Sequence, residues 1–164
     1  MLLDLKKVFL QDDETLVIER EMDMSAYELN GEKPFITPIK VNAKIFNKAG
    51  IIRLKADVNF DFCCPCDRCM ANVNKAYSYS FNHVLVNTND NNPDDDYVCV
   101  SEYKLDLDAL IMEDIILELP RKTLCKQDCK GICPKCGKNL NEGTCDCVAY
   151  QIDPRLEVLK NLID

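Results

Sequence analysis

The sequence predicts an α+β protein: an antiparallel β-sheet body, one main helix and a C-terminal cysteine-rich appendage. Three observations carry this prediction. Between residues 15 and 86, apolar and polar residues alternate over long stretches, the period of strands with one buried face. Residues 106–119 carry an apolar stripe at helical spacing instead. Six of the eleven cysteines then crowd into the last quarter of the 164-residue chain. This length favours one main domain with a short appendage. We divide it into a body at 1–120 and a cysteine-rich tail at 121–164.

Thr15-Leu16-Val17-Ile18 is rich in strand formers, although the first 35 residues carry the least signal. Ile39, Val41, Ala43 and Ile45 alternate with Lys40, Asn42 and Lys44. Lys48-Ala49-Gly50 then reads as a hairpin turn, followed by alternating Ile52, Leu54, Ala56, Val58 and Phe60. Val73 to Val86, with Tyr77, Tyr79 and Phe81, forms a further strand. Residues 87–96 are polar and acidic and match no EF-hand spacing, so they read as a solvated loop. Tyr97 to Val100 returns briefly to strand.

Asp106 to Leu119 is the main helix, with Ile111, Met112, Ile115, Ile116 and Leu119 on one face and Pro120 as its stop. Leu107, Leu110 and Leu117 lie nearer its acidic side, where core is the favoured reading over a partner surface. A short terminal helix, Pro154 to Ile163, follows Asp153 as its N-cap.

The tail reads C-x3-C-x3-C-P-x-C-G followed by C-x-C: Cys125, Cys129, Cys133, Cys136, Cys145 and Cys147. Cys66-Asp67-Arg68-Cys69 supplies another pair at the turn between two strands. Closely spaced thiolates in tight turns occupy adjacent corners of a tetrahedral zinc site. The simplest partition gives two zinc ions, one on Cys66, Cys69, Cys125 and Cys129, the other on Cys133, Cys136, Cys145 and Cys147. The competing partition has one zinc in the tail, with Cys66 and Cys69 structural or reactive. Cys63, Cys64 and Cys99 are left as spare thiols.

Energetics favour a structural metal. Between Arg121 and Cys147 the large apolar residues are Leu124, Ile132 and Leu140 alone. Burying them contributes roughly 1.5–3 kcal/mol each, whereas ordering the backbone costs about 1–2 kcal/mol per residue. Structural zinc supplies roughly 10–16 kcal/mol in small peptides. The tail needs the ion to acquire shape.

The net charge of −8 is unevenly spread. Residues 1–120 hold 12 Lys and Arg against 22 Asp and Glu. Residues 121–138 hold Arg121, Lys122, Lys126, Lys130, Lys135 and Lys138 against Asp128 alone. Two readings stand: these cations contact RNA or another polyanion, or they neutralise zinc held by four thiolates, a centre of charge −2. The acidic body suits a basic protein partner, such as a ribosomal protein or an assembly factor.

Catalysis finds little support in the sequence. The single histidine, His83, lies in a strand-like stretch without an evident catalytic partner. There is no Gly-rich phosphate loop or nucleophile elbow, and no small-molecule substrate is expected. Cys66 and Cys69 could form a thiol redox pair, but the motif separates two strand patterns, not a strand and a helix. No apolar run reaches the roughly 20 residues of a membrane span, and the N-terminus lacks a secretory pattern. A cytoplasmic location with reduced thiols is expected.

Three segments together resemble the YceD family of bacterial proteins: Cys66-Asp67-Arg68-Cys69-Met70, Leu105 through Pro120, and the tail from Leu124 to Cys147 with Ile152-Asp153-Pro154-Arg155-Leu156 beyond it. The tail most resembles the family's cysteine-rich branch. The resemblance implies a non-catalytic role in accumulation of 23S ribosomal RNA and hence in large-subunit biogenesis. Cys66, Cys69 and the six tail cysteines are the motif positions; Cys63 and Cys64 are not. The implied partners are the large-subunit precursor, 23S rRNA, or a basic ribosomal protein or assembly factor. A zinc-stabilised regulatory binding protein is a further option, opposed by the lack of a basic recognition helix.

Overall fold

The computed structural model describes residues 1–87 and 97–147. The elements run β1 (Leu2–Asp4), α1 (Lys6–Leu10), β2 (Thr15–Met22), β3 (Ile39–Lys48), β4 (Ile51–Pro65), β5 (Asn72–Asn87), β6 (Tyr97–Val100), β7 (Lys104–Asp106) and α2 (Leu107–Glu118). The rest of the expected 87–96 loop beyond Asn87, and the expected Pro154–Ile163 helix, lie outside the described residues. The chain forms two units: Met1–Cys64 with Asn72–Lys122, and Pro65–Ala71 with Thr123–Asp164.

The first unit is built on a five-stranded sheet of order β2-β3-β4-β5-β6. Antiparallel pairing sets Ile45 opposite Leu54, Ala43 opposite Ala56 and Val41 opposite Val58, all buried. A slip of one residue would turn this whole set to water, so burial fixes the register. Ala49 and Gly50 join β3 to β4, both with positive φ, at 54° and 78°. Such a pair of left-handed residues matches the twist of a two-residue hairpin. Asn47 secures the turn: its buried side chain donates to the carbonyls of Val8 and Gln11 and accepts from the Gly50 N–H.

The sheet is mostly antiparallel, with one correction to the expected pattern. β6 pairs parallel to β5, with Val84 opposite Tyr97 and Asn87 opposite Val100. Alternation fixes which face a strand buries, but not the direction of its neighbour. A second, two-stranded sheet joins β1 to β7, with Leu3 opposite Leu105. Nothing local marks so short a strand when its partner lies a hundred residues away.

The core is continuous. Ile39, Ile45, Leu54, Val58 and Phe60 of the sheet meet Leu107, Ile111, Met112 and Ile115 of α2, with Val8 of α1. Phe35 anchors its aromatic end against Phe60 and Phe62. Asp106 caps α2 by accepting from the Ala109 N–H, and Pro120 follows the Leu119 cap. Leu107 is fully buried and Leu110 packs against the core, but Leu117 is 79% exposed. Leu117 is two positions beyond Ile115, about 200° around the helix, and therefore faces away from the core.

Candidate metal centre

The second unit contains two hairpin-like knuckles built alike. In the first, the Met70 N–H donates to the Cys66 carbonyl (2.9 Å), and the Cys66 N–H to that of Ala71 (2.8 Å). In the second, the Gly137 N–H donates to the Cys133 carbonyl (2.9 Å), and the Cys133 N–H to that of Lys138 (2.8 Å). Met70 and Gly137 occupy the same place and share a positive φ, 60° and 71°. The likeness was legible only as C-x-x-C; the backbone pattern beneath it was not.

Each knuckle turns its two sulfurs toward two more. The sulfurs of Cys66, Cys69, Cys125 and Cys129 all lie within 4.8 Å of one another, as do those of Cys133, Cys136, Cys145 and Cys147. Cys66 stands 3.8 Å from Cys129 and Cys69 3.6 Å from Cys125, sulfur to sulfur. Four sulfurs at about 2.3 Å from a central zinc, at tetrahedral angles, stand about 3.8 Å apart. Disulfide sulfurs stand about 2.05 Å apart. Both four-cysteine clusters are consistent with metal binding.

A second layer of groups orients the first cluster. The Asn141 amide donates to the Cys129 sulfur (3.3 Å), and the Cys125 N–H to that of Cys66 (3.4 Å). Arg68 donates to the Cys129 carbonyl (2.9 Å), while the Ile132 N–H donates back to the Arg68 carbonyl (3.1 Å). Asp67 and Thr123 exchange two hydrogen bonds, tying the knuckle to the start of the tail segment. Gly131 makes the closest approach: a Cβ there would sit 3.0 Å from the Arg68 carbonyl oxygen, and its φ is +77°. Both facts demand glycine.

The thiols are electrostatically at odds with one another. Burial pushes the Cys66 thiol up, but the N–H groups of Arg68, Cys125 and Cys69 outweigh it and bring it down to about 6. Cys125, by burial and by the sulfurs of Cys69, Cys129 and Cys66, is pushed up to about 12. The second cluster repeats this. The N–H groups of Cys136 and Lys135 bring Cys133 down to about 6, and the Cys136 sulfur and burial push Cys147 up to about 12. In the first cluster burial also pushes Cys129 up, but the Asn141 amide and the Gly131 N–H outweigh it and bring it down. In both clusters the thiolates that form first resist those that form last. A divalent cation removes that conflict.

The eight predicted ligand positions are thus gathered in two groups. Among the described residues, Cys63, Cys64 and Cys99 belong to neither group. Lys126, Lys130, Lys135 and Lys138 are exposed on the second unit, and Arg121 and Lys122 are exposed at the end of the first. Lys138 donates to the Thr144 carbonyl (2.7 Å), closing the loop between the second knuckle and Cys145. His83 has a partner that the sequence did not announce, the Asp114 carboxylate at 2.7 Å, which ties β5 to α2. No helix among the described residues is long and apolar enough to cross a membrane.

The family model described as large ribosomal RNA subunit accumulation protein YceD matches residues 54–163, a span that contains all eight clustered cysteines. An uncharacterized Bacillus subtilis protein, YlbN, is 25% identical over 138 residues, covering 83% of this chain and 80% of its own. The chloroplastic large ribosomal RNA subunit accumulation protein YCED homolog 1 of Arabidopsis thaliana is 37% identical over 59 residues, 36% of this chain and 18% of that protein. An uncharacterized Mycobacterium tuberculosis protein is 32% identical over 76 residues, 44% of this chain and 37% of its own. No solved structure matches the chain.

Proposed function

The chain belongs to the YceD family, and from that premise we propose that it is a non-catalytic cytoplasmic factor supporting accumulation of 23S rRNA and production of the large ribosomal subunit. The observation that carries this reading is the family match across both four-cysteine clusters. The family's description names rRNA accumulation and no reaction. Each cluster holds one zinc ion in this reading, on Cys66, Cys69, Cys125 and Cys129, and on Cys133, Cys136, Cys145 and Cys147. Four thiolates close a zinc site, leaving no open position for a catalytic water. The ions are structural in this reading, and they shape the part of the 121–164 tail that carries the clustered cysteines, up to Cys147.

The exposed cations of the tail, Arg121, Lys122, Lys126, Lys130, Lys135 and Lys138, would meet rRNA phosphates. The acidic body would meet a basic ribosomal protein or an assembly factor. Metal analysis of the purified chain, coupled with sedimentation of cell extract, tests the whole. About two zinc ions per chain and migration with large-subunit precursors are expected. A chain that never travels with those particles would refute the ribosomal role.

The low Cys66 thiol favours one other reading, a thiol redox pair formed with Cys69. That reading requires a reversible Cys66–Cys69 disulfide and no stoichiometric metal. Mass spectrometry of thiol-trapped native protein separates the two.

A further inference from the structure

The solvent side of the sheet carries a charge pattern unlike the rest of the acidic body. Outward positions include Lys44, Phe46 and Lys48 on β3, and Ile51, Arg53 and Lys55 on β4. The register sets Lys44 directly opposite Lys55, Phe46 opposite Arg53 and Lys48 opposite Ile51. On β2, Val17 stands beside Lys44 and Thr15 beside Phe46. These adjoining rows hold four cations and no carboxylate. Glu19 and Asp57 bound the block at one end, where Asp57 is engaged by the Ser80 hydroxyl, and Asp12 to Glu14 precede β2 at the other.

Among the described residues, no carboxylate comes within ion-pair distance of Lys44, Lys48, Arg53 or Lys55. The Lys44 ammonium lies 5.7 Å from the centroid of the Phe46 ring. Phe46 is half-buried and stands outside the core, while Val17 is 64% exposed. Like charges directly opposite on neighbouring strands destabilise a sheet. Folding alone gives no reason for Lys44 to face Lys55 with no counter-charge; a polyanion bound across them does.

The geometry points to this outer face of β3 and β4 as a docking surface for a single-stranded stretch of RNA, with phosphates on Lys44, Arg53 and Lys55 and a base on Phe46. The choice of RNA rests on the ribosomal reading above. It also follows from the mixed character of the face. Cations two residues apart on a strand stand about 6.6 Å apart, a line of charge that a phosphate backbone matches. An aromatic ring among them offers a stacking platform for an unpaired base. An acidic peptide would satisfy the cations but leave Phe46 and Val17 facing water.

Fluorescence anisotropy of the metal-loaded full chain, with a labelled single-stranded 20-nucleotide RNA across a salt series, tests the proposal. The triple variant Lys44→Gln, Arg53→Gln, Lys55→Gln is expected to bind at least 10-fold more weakly. The slope of log affinity against log salt should fall by about 2, for three phosphate contacts at roughly 0.7 each. Phe46→Ala should weaken binding with the slope unchanged. Lys55→Gln alone relieves the like-charge pair, so its urea midpoint should not fall while its RNA affinity does, which excludes unfolding as the cause.

Wild-type affinity and slope in the triple variant would overturn the proposal. So would polyglutamate competing as tightly as the RNA and with the same dependence on Phe46. A parallel tail variant, Lys126→Gln, Lys130→Gln, Lys135→Gln, separates the two surfaces. If it alone loses binding, RNA contact through the tail stands and this surface falls. Failure of the ribosomal reading shows elsewhere, as absence from large-subunit precursor particles.

Discussion

The two units solve the same problem with different materials. In the first, buried Ile, Leu, Val and Phe from the sheet strands and α2 exclude water together. In the second, among the described residues, the buried side chains that count as apolar are all cysteines: Cys66, Cys69, Cys129 and Cys133. Ile132 remains 40% exposed there, and Leu124 and Leu140 are only half-buried. One unit is held by apolar area, which is additive and tolerant. The other, in the proposed reading, is held by coordination, which is all-or-none because every ligand must be deprotonated and in place. Stability in the chain would then have two separately removable sources.

Chelation gives the largest expected effect. Removing metal should cost the second unit most of the roughly 10–16 kcal/mol that structural zinc supplies. Amides of residues 123–147 would then exchange within the dead time, while those of β3 and β4 keep their protection. Hydrogen exchange with and without chelator checks this, and a tail still protected after complete metal removal would sink it. Within the second unit, Cys66→Ser and Cys133→Ser should each reduce metal content from about two ions to about one. Cys63→Ser, Cys64→Ser and Cys99→Ser should leave it unchanged.

Gly131→Ala probes coordination without touching a sulfur. The left-handed backbone costs a non-glycine residue about 1–2 kcal/mol, and the Arg68 carbonyl 3.0 Å away adds a clash. The metal of the first cluster should therefore be lost to competing chelator at lower concentration than in wild type, with the second cluster less affected.

In the body, His83→Ala leaves the Asp114 carboxyl unpaired at 12% exposure. Burial already raises that carboxyl above 3.8, and His83 opposes the rise. A raised carboxyl loses stability as pH climbs above the unfolded value. The deficit should thus be smallest in acid and grow to about 1–3 kcal/mol near neutrality, as read from urea midpoints across pH. Ala49→Gly gives the smallest effect: it relieves a positive φ in the β3–β4 turn and should add up to about 1 kcal/mol.

Much of the body was legible because its information is local. Alternation from Ile39 to Phe60 gave β3, β4 and the intervening turn, and the stripe at Ile111, Met112 and Ile115 gave α2. The parallel edge of β6 and the β1–β7 pair were not legible in this way. Each depends on which distant segment lies alongside, and composition does not encode that. The His83–Asp114 pair was hidden for the same reason, being 31 residues apart on a strand and a helix.

The sequence by itself determined that two C-x-x-C turns exist and that residues 121–147 hold only three large apolar side chains, Leu124, Ile132 and Leu140. Spacing constrains thiols a few residues apart, because a tight turn leaves them few relative positions. Tertiary structure decided which pairs converge: it brought Cys66 and Cys69 to Cys125 and Cys129, and Cys133 and Cys136 to Cys145 and Cys147. It also decided that Lys44 faces Lys55 across two strands. The first cluster joins residues 63 positions apart, which spacing cannot reach, and the lysine pair follows from the burial that fixes the β3–β4 register.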